Sequence, residues 1–80
     1  MDESQLWVSL TDVFRRVFDD DELVIGPKTN AKDIEAWDSL SHVQLVVAVE
    51  KRFGIRFNLG EVVALANVGQ MAELIKARSA

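Results

Sequence analysis

The chain has 80 residues, a formal charge of −4, one proline and no cysteine. That length suits one small domain, 1–80, whose folding buries roughly 60–65% of its surface, too little for a deep, walled active site. The cysteine count excludes a disulfide framework and a protein thiol, and a single histidine cannot assemble a zinc site. With 49% hydrophobic and 28% charged residues, the composition is that of a folded globule. Thirteen acidic residues against nine basic ones argue against nucleic acid or anionic lipid as the main partner and favour partners with basic surfaces. The start, Met1-Asp2-Glu3-Ser4, is the reverse of a secretory signal, and no apolar run exceeds the length of Leu45–Val49, five residues, far too short for a membrane span. A cytoplasmic monomer is the expectation.

The first helix is marked by Leu6, Leu10, Val13, Phe14, Val17 and Phe18, with Trp7 on the adjoining row, a stripe of spacing three and four. Ser4 or Asp2 is suited to cap its start. The run Asp19-Asp20-Asp21-Glu22 opposes the negative end of a helix dipole and predicts a stop near Asp19. From Asp20 to Trp37 periodicity is lost and turn formers such as Gly26-Pro27 appear. Leu23, Val24, Ile25 and Ile34 still require burial, so this long connection should pack onto the helices; loops of this length in compact domains are often functional.

A second helix is predicted from about Ser39 to Phe53, with Lys51 and Arg52 in its last turn and Gly54 as its terminator. Asn58-Leu59-Gly60-Glu61 reads as a capping box opening a short helix to about Ala66. Asn67-Val68-Gly69-Gln70 repeats the pattern and opens a last helix to about Arg78, with Met71, Leu74 and Ile75 inward. Leu23–Ile25 and Ile55–Phe57 are the only strand candidates, each too short to build a sheet. The fold class is therefore all-α: three main helices, one short helix and a long loop between helices one and two.

The second helix carries two apolar sides. At about 100° per residue, Leu45, Val46, Val49 and Phe53 cluster on one, and Leu40, Val43 and Val47 on nearly the opposite one. Eighty residues cannot bury both. Either the long loop covers the second stripe or it is exposed for a partner or an apolar ligand.

Asp38-Ser39-Leu40 opens this helix. Asp and Ser are preferred caps, and Ser41 with Gln44 offers a second capping box, so the tripeptide alone means little. Nucleophilic catalysis by Asp38, Ser39 and His42 is disfavoured. Asp38 cannot stand behind His42 when it shares the helix start with Ser39, and no Gly-rich turn supplies an oxyanion hole. His42 reads as a half-exposed residue of the first turn.

Taken together these features resemble the acyl carrier protein family over essentially the whole chain. The likeness rests on the helix, the long loop, Asp38-Ser39-Leu40, the apolar run Val43–Val49, then Glu50-Lys51-Arg52-Phe53-Gly54-Ile55, and Asn67-Val68-Gly69 before Met71–Ile75. The resemblance implies a non-enzymatic carrier. Ser39 would be the attachment point for 4′-phosphopantetheine, installed from coenzyme A by a phosphopantetheinyl transferase, with Asp38 and Leu40 beside it. An imported thiol agrees with a chain that has none, and a helix N-terminus favours a phosphodiester. Leu40, Val43, Val47 and Glu50 would then face acyl-transferring or condensing enzymes, and the gap beside the second helix would shelter an acyl chain.

One departure from carriers of primary fatty acid synthesis stands out. Their second helix is usually rich in Glu and Asp, whereas this one offers Ser41, His42, Gln44, Lys51 and Arg52, with only Glu50 acidic. That favours a specialised lipid, polyketide or modified-sugar pathway over a housekeeping role in fatty acid biosynthesis. The reading from a different class is an unmodified adaptor that binds a partner helix through Leu40, Val43 and Val47.

Overall fold

The structure, a computed structural model, describes residues 2–79. Four helices follow one another: α1 (Glu3–Val17), α2 (Ser39–Phe53), α3 (Leu59–Ala64) and α4 (Val68–Ser79). The all-α class is as expected, and among the described residues neither Leu23–Ile25 nor Ile55–Phe57 forms a strand.

Asp2 caps α1, its carboxylate accepting the Gln5 N–H at 2.8 Å, so Ser4 lies inside the helix. The helix ends at Val17, slightly before the predicted stop, and Asp19 turns the chain away in the left-handed region at φ 52°. Leu6, Leu10, Val13 and Phe14 are buried as the spacing required, and α1 packs chiefly against α2 and also against α4. Leu45 and Val49 of α2 and Val68, Met71, Ala72 and Ile75 of α4 complete the centre of the core. Leu74 is only half-buried.

The long loop, 18–38, is held down at several points. Arg15 Nε donates to Leu23 O at 2.7 Å, Val68 N–H to Thr29 O at 2.8 Å and Gly69 N–H to Pro27 O at 2.9 Å. The last contact explains the glycine: a Cβ at position 69 would lie 2.7 Å from Pro27 O. Ile34 is buried, and Leu23 and Ile25 are half-buried. Val24, expected inside with them, is 78% exposed, because neighbouring side chains of a non-helical segment point to opposite sides.

Helix α2 spans Ser39–Phe53 as predicted and stops at Gly54 in the left-handed conformation, φ 65°. The short helix α3 ends at Ala64, before the expected Ala66. Its box is reciprocal: Asn58 accepts the Glu61 N–H at 2.9 Å and Glu61 accepts the Asn58 N–H at 3.0 Å. In α4 the repeated motif closes differently. Asn67 accepts the Gln70 N–H at 2.8 Å, but Gln70 reaches back to Ala66 N–H, at 2.9 Å.

Candidate functional site at the start of α2

Asp38 is the N-cap of α2 and Ser39 its first helical residue. The Asp38 carboxylate accepts the Ser41 N–H at 2.9 Å while Ser41 Oγ accepts the Asp38 N–H at 2.8 Å, a capping box built with Ser41 as third residue rather than with Gln44. The Ser41 hydroxyl shares its own proton between Ala36 O at 2.8 Å and the Asp38 carboxylate at 3.2 Å. Hydrogen bonds from the Ser41 backbone, and secondly from its side chain, hold the Asp38 carboxyl below its ordinary value. Asp38 is thereby spent on positioning. Ser39 is left exposed on the first turn, its hydroxyl without a partner among the described contacts. An exposed serine on a cleanly capped turn, beside first-turn N–H groups and the positive dipole end, fits a phosphodiester.

Running down from Ser39, Leu40, Val43 and Val47 are 70%, 57% and 42% exposed. The loop does not cover this stripe, which decides between the two possibilities the sequence left open. Leu45, Val46 and Val49 on the other side are buried. Glu50 lies on the exposed row three residues beyond Val47, yet its Oε2 accepts the Phe57 N–H at 2.9 Å, which ties the α2–α3 connection to α2. Nearby, Arg52 is paired with Asp12 of α1 at 3.2 Å. The outer face of α2 thus presents methyl groups and few free charges.

Between α2 and α3 lies an apolar groove of about 300 Å³, lined by Val43, Val46, Val47, Phe57, Leu59 and Val62, with Glu50 at its edge. It begins roughly one helical turn below Ser39.

His42 is half-exposed, as the sequence reading has it, but both of its ring nitrogens are engaged. Its Nδ1 accepts the Trp37 indole N–H at 3.0 Å, and its Nε2 donates to Val62 O at 3.0 Å. A carbonyl only accepts, so these partners assign the neutral tautomer protonated at Nε2. Neither nitrogen is available to Ser39, which removes the general base that a hydrolase would need. The Trp37 and His42 rings lie within 19° of parallel with centroids 5.9 Å apart, and Trp37 meets Phe14 edge-on at 5.5 Å. The sequence reading missed this chain of rings. Its only signal was a Trp and a His five residues apart around a helix start, and the second partner lies twenty residues on.

Among the described residues no group of His, Cys, Asp and Glu is arranged to hold a metal ion, and no helix is long and apolar enough to cross a membrane.

Comparison with known proteins agrees with this geometry. The family described as "Phosphopantetheine attachment site" matches residues 8–75. A search of curated protein sequences gives no significant match. Among solved structures, the chain is similar to the holo acyl carrier protein from Geobacter metallireducens, determined in solution by NMR. The two are 48% identical, with a TM-score of 0.85 over 91% of this chain and 84% of that one. A bundle with an exposed serine on the first turn of α2, matched over most of its length by that family and that carrier, belongs to the acyl carrier proteins: carriers, not enzymes, whose prosthetic group is covalent 4′-phosphopantetheine.

Proposed function

We propose that Ser39 is the residue that carries the 4′-phosphopantetheine, and that the chain serves a specialised lipid, polyketide or modified-sugar pathway. The observation that carries the assignment is the exposure of Ser39 on a turn whose cap, Asp38, is already committed to Ser41. Bound there, the group supplies a terminal thiol on which acyl chains travel as thioesters.

The residues around Ser39 divide the remaining work. Asp38 and Ser41 hold the turn so that a transferase meets the hydroxyl in one orientation. Leu40, Val43 and Val47 give partner enzymes an apolar face beside the arm, with Glu50 at its lower edge. The groove between α2 and α3 shelters the acyl chain from water. Carriers are exchanged between enzymes, so a small apolar patch that releases quickly suits the task better than a large interface.

The specialised role rests on charge. α2 has no acidic residue in its first turn, and its one carboxylate, Glu50, is occupied by Phe57 N–H. Exposed acids gather instead in the loop at Asp19, Asp20, Asp21 and Glu22. Phosphopantetheinyl transferase and acyl-transferring or condensing enzymes are the partners this reading requires.

Intact mass after incubation with coenzyme A, Mg²⁺ and a broad-specificity phosphopantetheinyl transferase tests the assignment. One phosphopantetheine and one new thiol are expected, and Ser39→Ala removes both. Modification that persists in that variant, at Ser41 or another serine, overturns it. An unmodified wild-type chain would favour the adaptor instead.

A further inference from the structure

α3 forms one wall of the groove, yet none of its six residues is buried. Leu59 and Val63 are 78% and 77% exposed. Burial holds only its flanks, where Phe57 and the C-cap Leu65 pack partly buried against the core, so the position of the helix itself rests on polar ties. Glu50 holds the Phe57 N–H just before it, and Glu61 is ion-paired with Arg78 of α4 on its far side. His42 is different. Its Nε2–H bond to Val62 O crosses directly from α2 to the middle of α3, over the groove that Val43 and Val62 line. The ring cannot swing away freely, because its Nδ1 holds the Trp37 indole N–H and Trp37 packs on Phe14, a fully buried residue of α1.

We propose that His42 is a positioning residue for cargo: its bond to Val62 O holds α3 as the second wall of the groove and sets how well an acyl chain is sheltered there. The proposal rests on the carrier reading, since without cargo the groove has no occupant. A half-buried hydrogen bond of this kind changes an opening equilibrium roughly three- to tenfold. That is enough to alter the exposure of a thioester while leaving the fold intact.

Three substitutions at one position separate the two bonds. His42→Gln sets an amide N–H at the level of Nε2 and retains the tie to Val62 O. His42→Asn sets its amide at the level of Nδ1 and retains only the indole bond. His42→Phe keeps a ring for Trp37 and loses both bonds.

Amide hydrogen exchange on the unmodified chain provides the first measurement. Amides of α3 should exchange roughly three- to tenfold faster in the Asn and Phe variants, with wild-type rates in the Gln variant and unchanged rates in α4. The second measurement is hydroxylamine cleavage of octanoyl and acetyl thioesters on the modified protein. The octanoyl-to-acetyl rate ratio should rise by a similar factor in the Asn and Phe variants alone. Unchanged α3 exchange in His42→Asn overturns the proposal, as does a Gln variant that behaves like Asn. Faster exchange with an unaltered octanoyl ratio overturns the sheltering role. Failure of Ser39 modification would sink the carrier reading independently, because the exchange experiment uses no arm.

Discussion

α3 and α4 start from nearly the same local sequence, Asn58-Leu59-Gly60-Glu61 and Asn67-Val68-Gly69-Gln70, and have opposite fates. Each Asn accepts the N–H of the residue three positions on. After that first turn α4 sends Val68, Met71, Ala72 and Ile75 into the core, whereas α3 has no fully buried residue and only half-buries Glu61 and Val62. The same capping chemistry can begin a helix, but only apolar area removed from water anchors it. In this molecule the anchored helix supports the scaffold, and the unanchored one walls the groove.

The largest expected effect breaks the comparison at its root. Ile75→Ala, at a fully buried site, should cost about 2–5 kcal/mol. Val63→Ala, on the exposed face of α3, should stay within about 0.5 kcal/mol. Chemical denaturation measures both, and comparable losses would mean that α3 is anchored after all.

The glycines sharpen the contrast. Gly69→Ala brings a methyl group to 2.7 Å from Pro27 O and should destabilise by about 1–3 kcal/mol, loosening the loop. Gly60→Ala meets only Asn58 Oδ1, at 3.4 Å, and should be neutral or stabilising by up to ~1 kcal/mol. Thermal melts should show a lowered midpoint for Gly69→Ala and an unchanged or raised one for Gly60→Ala.

Acid separates the helices next. The Asn58 N–H, and secondly Arg78, hold the Glu61 carboxyl below its ordinary value of 4.5. A carboxyl lowered on folding contributes stability above its unfolded value and loses it as pH falls through its folded value. Below pH 4.5, α3 should therefore lose its box and its tie to α4, while the corresponding Gln70 of α4 does not titrate. Protection factors, which correct each exchange rate for its intrinsic pH dependence, should fall first in α3 between pH 6 and pH 3. A Glu61→Gln variant should show a weaker pH dependence there.

The smallest effect on folding is expected from Val47→Glu, at a site 42% exposed, within about 0.5 kcal/mol. Its modification by the transferase should nevertheless slow if the exposed stripe is the docking face proposed above, because the charge falls on it. Unfolding of this variant would show that the stripe belongs to the core.

Much of the site was legible before any coordinates. Asp38 and Ser39 carry a cap and an exposed first-turn serine in consecutive letters, and local hydrogen bonding alone sets that geometry. The ends of α2 were legible for the same reason, through Asp38 at one end and Gly54 at the other. The state of Leu40, Val43 and Val47 was not, since a loop of this length could lie over them or elsewhere. His42 was read as an ordinary first-turn residue because its partner is a backbone carbonyl, which any residue type supplies. Val24 was misplaced because periodicity says nothing about which way a non-helical segment turns.

Sequence alone determined the helices, the cap and terminator of α2, the two-sided character of α2 and the serine at its start, since all of these depend on residues within a turn or two of one another. The tertiary fold decided which apolar stripe of α2 meets α1, why position 69 must lack a Cβ, and how a single imidazole joins the loop, α2 and α3. Those outcomes depend on groups brought together from distant parts of the chain, and distance along a chain carries no hydrogen bond until the core has closed.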